Sequence, residues 1–125
     1  MKAPTHMKHV LLIEPDSVVA DLVSKALSSQ DVSVVTVHGA QTAIAAADKQ
    51  LPDVVVMELV LPAHNGIEFL HEFRSYPEWA SIPVVLFSSQ RIDESLLVPL
   101  PHVSYIYKPL SSLADLSRHL EGLLA

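Results

Sequence analysis

Four polar side chains each close a short apolar run: Glu14 after Val10-Leu11-Leu12-Ile13, Glu58 after Val54-Val55-Val56-Met57, Ser88 after Val84-Val85-Leu86-Phe87, and Lys108 after Val103 to Tyr107. Runs this short and this rich in β-branched residues read as strands of a parallel sheet, the central ones buried on both faces. An open sheet of that kind gathers ligands at the carboxyl ends of its strands. Carboxylates and an ammonium at such ends, here Glu14, Glu58 and Lys108, are polar anchors for a small ligand or group. Glu58 is the pivot, because Leu61-Pro62 and Asn65-Gly66 follow it with turn chemistry that ends the strand and opens a helix from about Ile67.

The elements that must position these groups alternate along the chain. Glu14-Pro15-Asp16-Ser17 ends the first strand, and Asp16 or Ser17 can cap the next helix. In that helix Val18, Val19, Leu22, Val23, Ala26 and Leu27 recur at helical spacing. Val32 to Val37 is a second strand. Ala40, Ile44, Ala47 and Leu51 give a narrow face of mostly small residues, which Pro52 ends. Ile67, Leu70 and Phe73 mark a third helix, and Leu113, Leu116, Leu120 and Leu124 a closing one. Strands alternating with helices imply right-handed βαβ units and an α/β three-layer sandwich. One crossover breaks the rhythm: between Ser89 and Val103 a helical pattern covers only about Asp93 to Val98, and Pro99 and Pro101 stop it, so the fourth helix is predicted to be short.

With 125 residues, half of them hydrophobic, the chain is read as a flexible leader over 1–7 and one domain over 8–125. A net charge of −6 and no basic cluster argue against a nucleic-acid partner. The absence of cysteine excludes disulfide and thiolate–metal frameworks. No apolar run is long enough for a membrane span, and no signal-peptide pattern opens the chain, so the expected location is the cytoplasm.

The set VLLIEPD, PDVVVMELVLP, NG, PVVLFSS and YIYKP, covering nearly the whole chain from Lys8, resembles the receiver domain of bacterial two-component response regulators. The resemblance implies a flavodoxin-like fold, a five-stranded parallel sheet of order 2-1-3-4-5. It also implies roles. Glu14 and Pro15 fall on an acidic pair that helps to hold Mg²⁺, and Glu58 on an aspartate that takes phosphate from a histidine kinase. Ser88 and Lys108 fall on the hydroxyl and lysine that contact the phosphoryl group, and Tyr105 on an aromatic whose rotamer reports activation. The fourth helix, fifth strand and fifth helix would form the face that dimerises or docks an output domain. A cis Lys108–Pro109 bond is implied as well.

Two departures from that pattern carry chemical weight. Pro15 cannot coordinate a hard cation through its side chain, so Glu14 and Glu58 are left as a weak Mg²⁺ pair. Glu58 reaches about 1.5 Å further than aspartate would, and a misplacement of around 1 Å can cost on the order of a hundredfold in phosphoryl transfer. The extra reach carries a negative charge toward Lys108 and Ser88. The resemblance therefore implies a pseudo-receiver, with no enzymatic activity, that signals through a protein partner such as a histidine kinase or output protein without conventional aspartyl phosphorylation. Glu58 paired with Lys108 would stand in for a phosphorylated aspartate, or the two would be an ion pair that closes the sheet end and signals nothing. The alternatives are a working phospho-receiver that uses Mg²⁺, and a small-ligand sensor in the same crevice.

Other residues carry weaker signals. Ser88 can bond a ligand oxygen or cap the following turn, and Tyr105 can be a switch or packing. The seven histidines, His64 and His71 among them, show no metal-ligand spacing. Ser88 lies in no nucleophile elbow, so a Ser-His-Asp hydrolase is not expected. Leu97 to Pro101 is expected either to pack down on the sheet edge or to stand out as a docking patch.

Overall fold

The run at the centre of the sequence pattern, Val54–Met57, forms strand β3 and is buried on both faces. In this computed structural model, which describes residues 7–29, 31–108 and 111–125, β3 lies between β1 (Lys8–Ile13) and β6 (Val84–Ser88). The outer strands are β2 (Val32–Val37), beside β1, and β7 (Val103–Tyr107), beside β6. All four pairings are parallel, in register Ile13↔Met57, Met57↔Leu86 and Ser88↔Tyr107. That register sets Glu14, Glu58 and Ser88 side by side at one end of the sheet. The expected leader, apart from Met7, and the expected cis bond at Pro109 lie outside the described residues.

Successive side chains of a strand face opposite ways, which splits the core in two. Leu11, Ile13, Val55, Met57 and Leu86 pack under α2 (Ala40–Lys49) and α3 (Gly66–Ser75). Val10, Leu12, Val54, Val56 and Val85 pack under α1 (Ser17–Leu27) and α4 (Leu113–Leu124). The result is the flavodoxin-like three-layer sandwich expected from the alternation of elements, with strand order β2-β1-β3-β6-β7.

Helix starts follow the cap chemistry. Asp16 accepts from the N–H groups of Val18 and Val19, and Asn65 from that of Ile67. Ser112 and Asp115 form a reciprocal capping box at the start of α4. The stripe of α1 is rotated from the expected one: Ala20, Val23 and Leu27 are buried, while Val18 and Leu22 face outward. In α2 the sequence offers Ala40, Ile44, Ala47 and Leu51, but the buried set is Ala40, Ala43 and Ala47, and Leu51 lies exposed beyond the helix end.

Two local features sit next to Glu58. A two-stranded antiparallel hairpin, β4 (Val60–Leu61) and β5 (His64–Asn65), turns through Pro62 and Ala63, with Ala63 at a left-handed φ of 57°. The crossover from β6 to β7 contains a single 3₁₀ turn, Glu94–Leu97, in place of a full helix, as the two prolines predict. Leu97 and Leu100 pack into the core, so this segment packs down on the sheet, while Leu96 and Val98 turn to solvent.

Candidate functional site

The strand ends converge on one carboxylate. Glu58 is only 5% exposed, and both of its oxygens are filled by donors. Oε2 accepts from the Leu59 N–H at 2.6 Å, the Val60 N–H at 3.3 Å and the Ser88 hydroxyl. Oε1 accepts from the Ser89 N–H and the Ser89 hydroxyl, each at 3.0 Å, and from Lys108 Nζ at 3.1 Å. β3 supplies the carboxylate, the hairpin entry supplies backbone donors, and β6 and β7 supply the hydroxyls and the ammonium.

Lys108 also reaches Glu14 Oε1, at 2.5 Å. Its ammonium thus bridges the carboxylates at the ends of β1 and β3, and it lies 5.5 Å from the centre of the Phe87 ring. The other Glu14 oxygen accepts from the Asp16 N–H at 3.1 Å. The strand-end residues Glu14, Glu58, Ser88 and Lys108 are all in direct contact through Glu58 or Lys108.

Tyr105 stands one step further out. Its hydroxyl donates to the Gln90 carbonyl at 2.5 Å, and the Gln90 N–H donates to Ser88 Oγ at 3.1 Å. Tyr105 is therefore joined to Glu58 through Gln90 and Ser88. Burial raises its phenol pKa.

Burial alone would raise the pKa of Glu58. The Ser88 hydroxyl, the Ser89 N–H and the Lys108 ammonium more than reverse this and hold it at about 2, against an ordinary value of 4.5. The group is a permanent anion at neutral pH.

Several of these partners carry little or no signal in the sequence. The Ser89 hydroxyl doubles the grip of Ser88, and its only sequence signal is the Ser-Ser pair itself. Backbone N–H groups of Leu59 and Val60 have no sequence signature at all. Arg74 is another such case: its guanidinium donates to the carbonyls of Trp79, Pro101 and His102, tying α3 to the turn before β7.

The arrangement fits an internal anion with an internal counter-ion. A divalent cation, which is held through carboxylate oxygens, would have to displace these donors. Both Glu58 oxygens already accept hydrogen bonds, Glu14 is held by Lys108 and the Asp16 N–H, and the Asp16 side chain is turned to its helix cap. Among the described residues no group of three or more His, Asp or Glu side chains is placed to hold a metal, and no helix is long and apolar enough to cross a membrane.

The family model described as response regulator receiver domain matches residues 10–120. The chain is 36% identical over 104 residues to the probable transcriptional regulatory protein TcrX of Mycobacterium tuberculosis, covering 82% of this chain and 44% of that protein. It spans less than half the length of this and the next two similar curated proteins, 44–45% in each case. Among solved structures, chemotaxis protein CheY4 of Vibrio cholerae superposes with a TM-score of 0.84 at 21% identity, covering 94% of this chain and 98% of that one, which is a likeness of fold. The phosphorylated cyanobacterial phytochrome response regulator RcpA superposes with a TM-score of 0.75 at 30% identity, covering 94% and 91%.

Proposed function

The chain belongs to the receiver-domain family of response regulators, and from that membership we propose a signalling domain whose state is held by Glu58 rather than set by aspartyl phosphorylation. It acts through contacts with a protein partner in a two-component or phosphorelay system.

The observation that carries this reading is the saturation of Glu58. Phosphoryl transfer to a carboxylate needs an oxygen free to attack in line, with a cation to neutralise developing charge. Here Oε1 and Oε2 each take hydrogen bonds from the neighbouring strand ends, and Lys108 takes the place of an external cation. The similar protein RcpA is solved in a phosphorylated form. In this chain the negative charge that such a modification brings is supplied by the side chain itself, in contact with Ser88 and Lys108. Ser88 and Gln90 then relay the anchored charge to Tyr105.

The test is an amide proton–nitrogen NMR spectrum recorded before and after Mg²⁺ and then beryllofluoride, a mimic of the phosphoryl group. The expected result is an unchanged spectrum at Glu58, Ser88 and Tyr105, together with no phosphate uptake from acetyl phosphate. Shifts spreading from Glu58 through Ser88 to Tyr105, or phosphate uptake by the parent protein, would overturn the reading in favour of a working phospho-receiver.

A further inference from the structure

Next to Glu58 the surface opens into a groove of about 610 Å³ that the anchored site itself does not use. One wall is the hairpin entry and the start of α3, with Leu59, Val60 and Ile67. The other is the segment after β6, with Gln90, Ile92 and Leu96. Val60 and Leu96, which line the groove from opposite walls, are 56% and 51% exposed.

The crossover that forms the second wall is the least helical of the four. The crossovers from β1, β2 and β3 each carry an α-helix of 10 or 11 residues, and the crossover from β6 carries a four-residue 3₁₀ turn. Such a turn extends about 8 Å, against about 15 Å for a ten-residue α-helix.

Its charge is one-sided. Glu68 lines the groove, Asp93 and Glu94 stand exposed in the segment that forms the second wall, and among the described residues no lysine or arginine lines it. Arg91, the nearby base in sequence, is stacked over the Tyr107 ring at 4.4 Å. Both walls are also tied to one group: Glu58 binds the N–H groups of Leu59 and Val60 on one side and, through Ser88, that of Gln90 on the other.

We propose that this groove docks an amphipathic helix of a partner protein, with apolar residues at i, i+3 or i+4 seated against Val60, Ile67, Ile92 and Leu96, and lysine or arginine residues facing Glu68, Asp93 and Glu94. A helix-in-groove contact of this kind matches an apolar strip flanked by acidic side chains. The proposal rests on the reading that Glu58 is a fixed anion, because that anion holds the two walls in place.

The experiment uses a fluorescein-labelled 14-residue helical peptide with leucine on one face and lysine on the other, and its leucine/glutamate counterpart, titrated by anisotropy without Mg²⁺ or phosphodonor. The lysine peptide is expected to bind at least tenfold more tightly than the glutamate peptide, with amide shifts centred on Val60, Ile67, Ile92 and Leu96. Val60→Ser, Leu96→Ser and Glu68→Lys are each expected to weaken it at least fivefold with the melting temperature retained. Leu22→Ser, which removes an exposed leucine of α1, is expected to leave it unchanged. Equal binding by the groove variants, equal loss in Leu22→Ser, or no binding by the parent would overturn the proposal. Beryllofluoride-induced shifts would end the phosphorylation-independent reading without altering the peptide result, so the two failures are separable.

Discussion

Lys108 Nζ lies 3.1 Å from Glu58 Oε1, an ion pair that joins the ends of β3 and β7 across 50 residues of chain. The same ammonium holds Glu14, so one cation is set against two carboxylates, each with only 6% of its side-chain surface exposed. Removing one member of a buried pair leaves the other uncompensated, which is the costly way to break it. Lys108→Met is therefore expected to destabilise the domain by about 3 kcal/mol, read by urea unfolding. Glu14→Gln in the Lys108→Met background should recover part of that loss. An additive double variant would mean that the two groups do not interact.

Glu58 gives the stability of the fold a defined pH dependence. Its pKa is depressed, from 4.5 to about 2. The stabilisation is therefore fully present above the unfolded value and is lost as pH falls through the folded one. Between about pH 5 and pH 2 the anchored carboxylate should give up roughly 3 kcal/mol. Glu58→Gln is expected to flatten unfolding free energy across that window while lowering it at neutral pH. A variant that keeps the parent slope would place the acid sensitivity elsewhere.

The sheet was legible because its strands are short β-branched runs, each ended by a turn residue or a polar group, and that pattern survives any detail of packing. The phase of α1 was not. Val18, Leu22, Val23 and Leu27 admit two overlapping apolar stripes, and the one that meets the sheet uses Ala20, a small residue that hydrophobicity ranks low. Tertiary fit chose the stripe that allows close approach. At the site, the side chains at strand ends could be read from position alone. The donors from Leu59, Val60 and Ser89 N–H could not, since every residue but proline has one and only the backbone path decides where it points.

Gly66 illustrates a constraint that chain geometry imposes near the same site. A Cβ placed on it would lie 2.6 Å from the Leu59 carbonyl oxygen and 2.7 Å from the Leu59 Cα. Both contacts are with backbone, which cannot swing aside as a side chain can. Gly66→Ala is expected to push α3 away from the hairpin entry and cost about 2 kcal/mol. It should also disturb the Leu59 N–H that binds Glu58, seen as a shift of that amide signal. A variant as stable as the parent would show that the hairpin yields easily.

The segment between β6 and β7 makes the sharpest contrast of neighbouring side chains. Leu97 and Leu100 are 8% and 7% exposed and belong to the core under α2 and α3, while Val98 between them is 82% exposed. Pro99 and Pro101 prevent the chain from continuing as a helix, so the burial of the two leucines is what holds this crossover against the sheet. Truncating a buried leucine loses both its transfer free energy and the packing around it. Leu97→Ala and Leu100→Ala are each expected to destabilise the domain by about 2–3 kcal/mol, and Val98→Ala by less than about 0.5 kcal/mol, all read by thermal or urea unfolding. If Leu97→Ala and Leu100→Ala unfold like the parent, the segment is not anchored by packing, and the groove wall that includes Leu96 would have no fixed position.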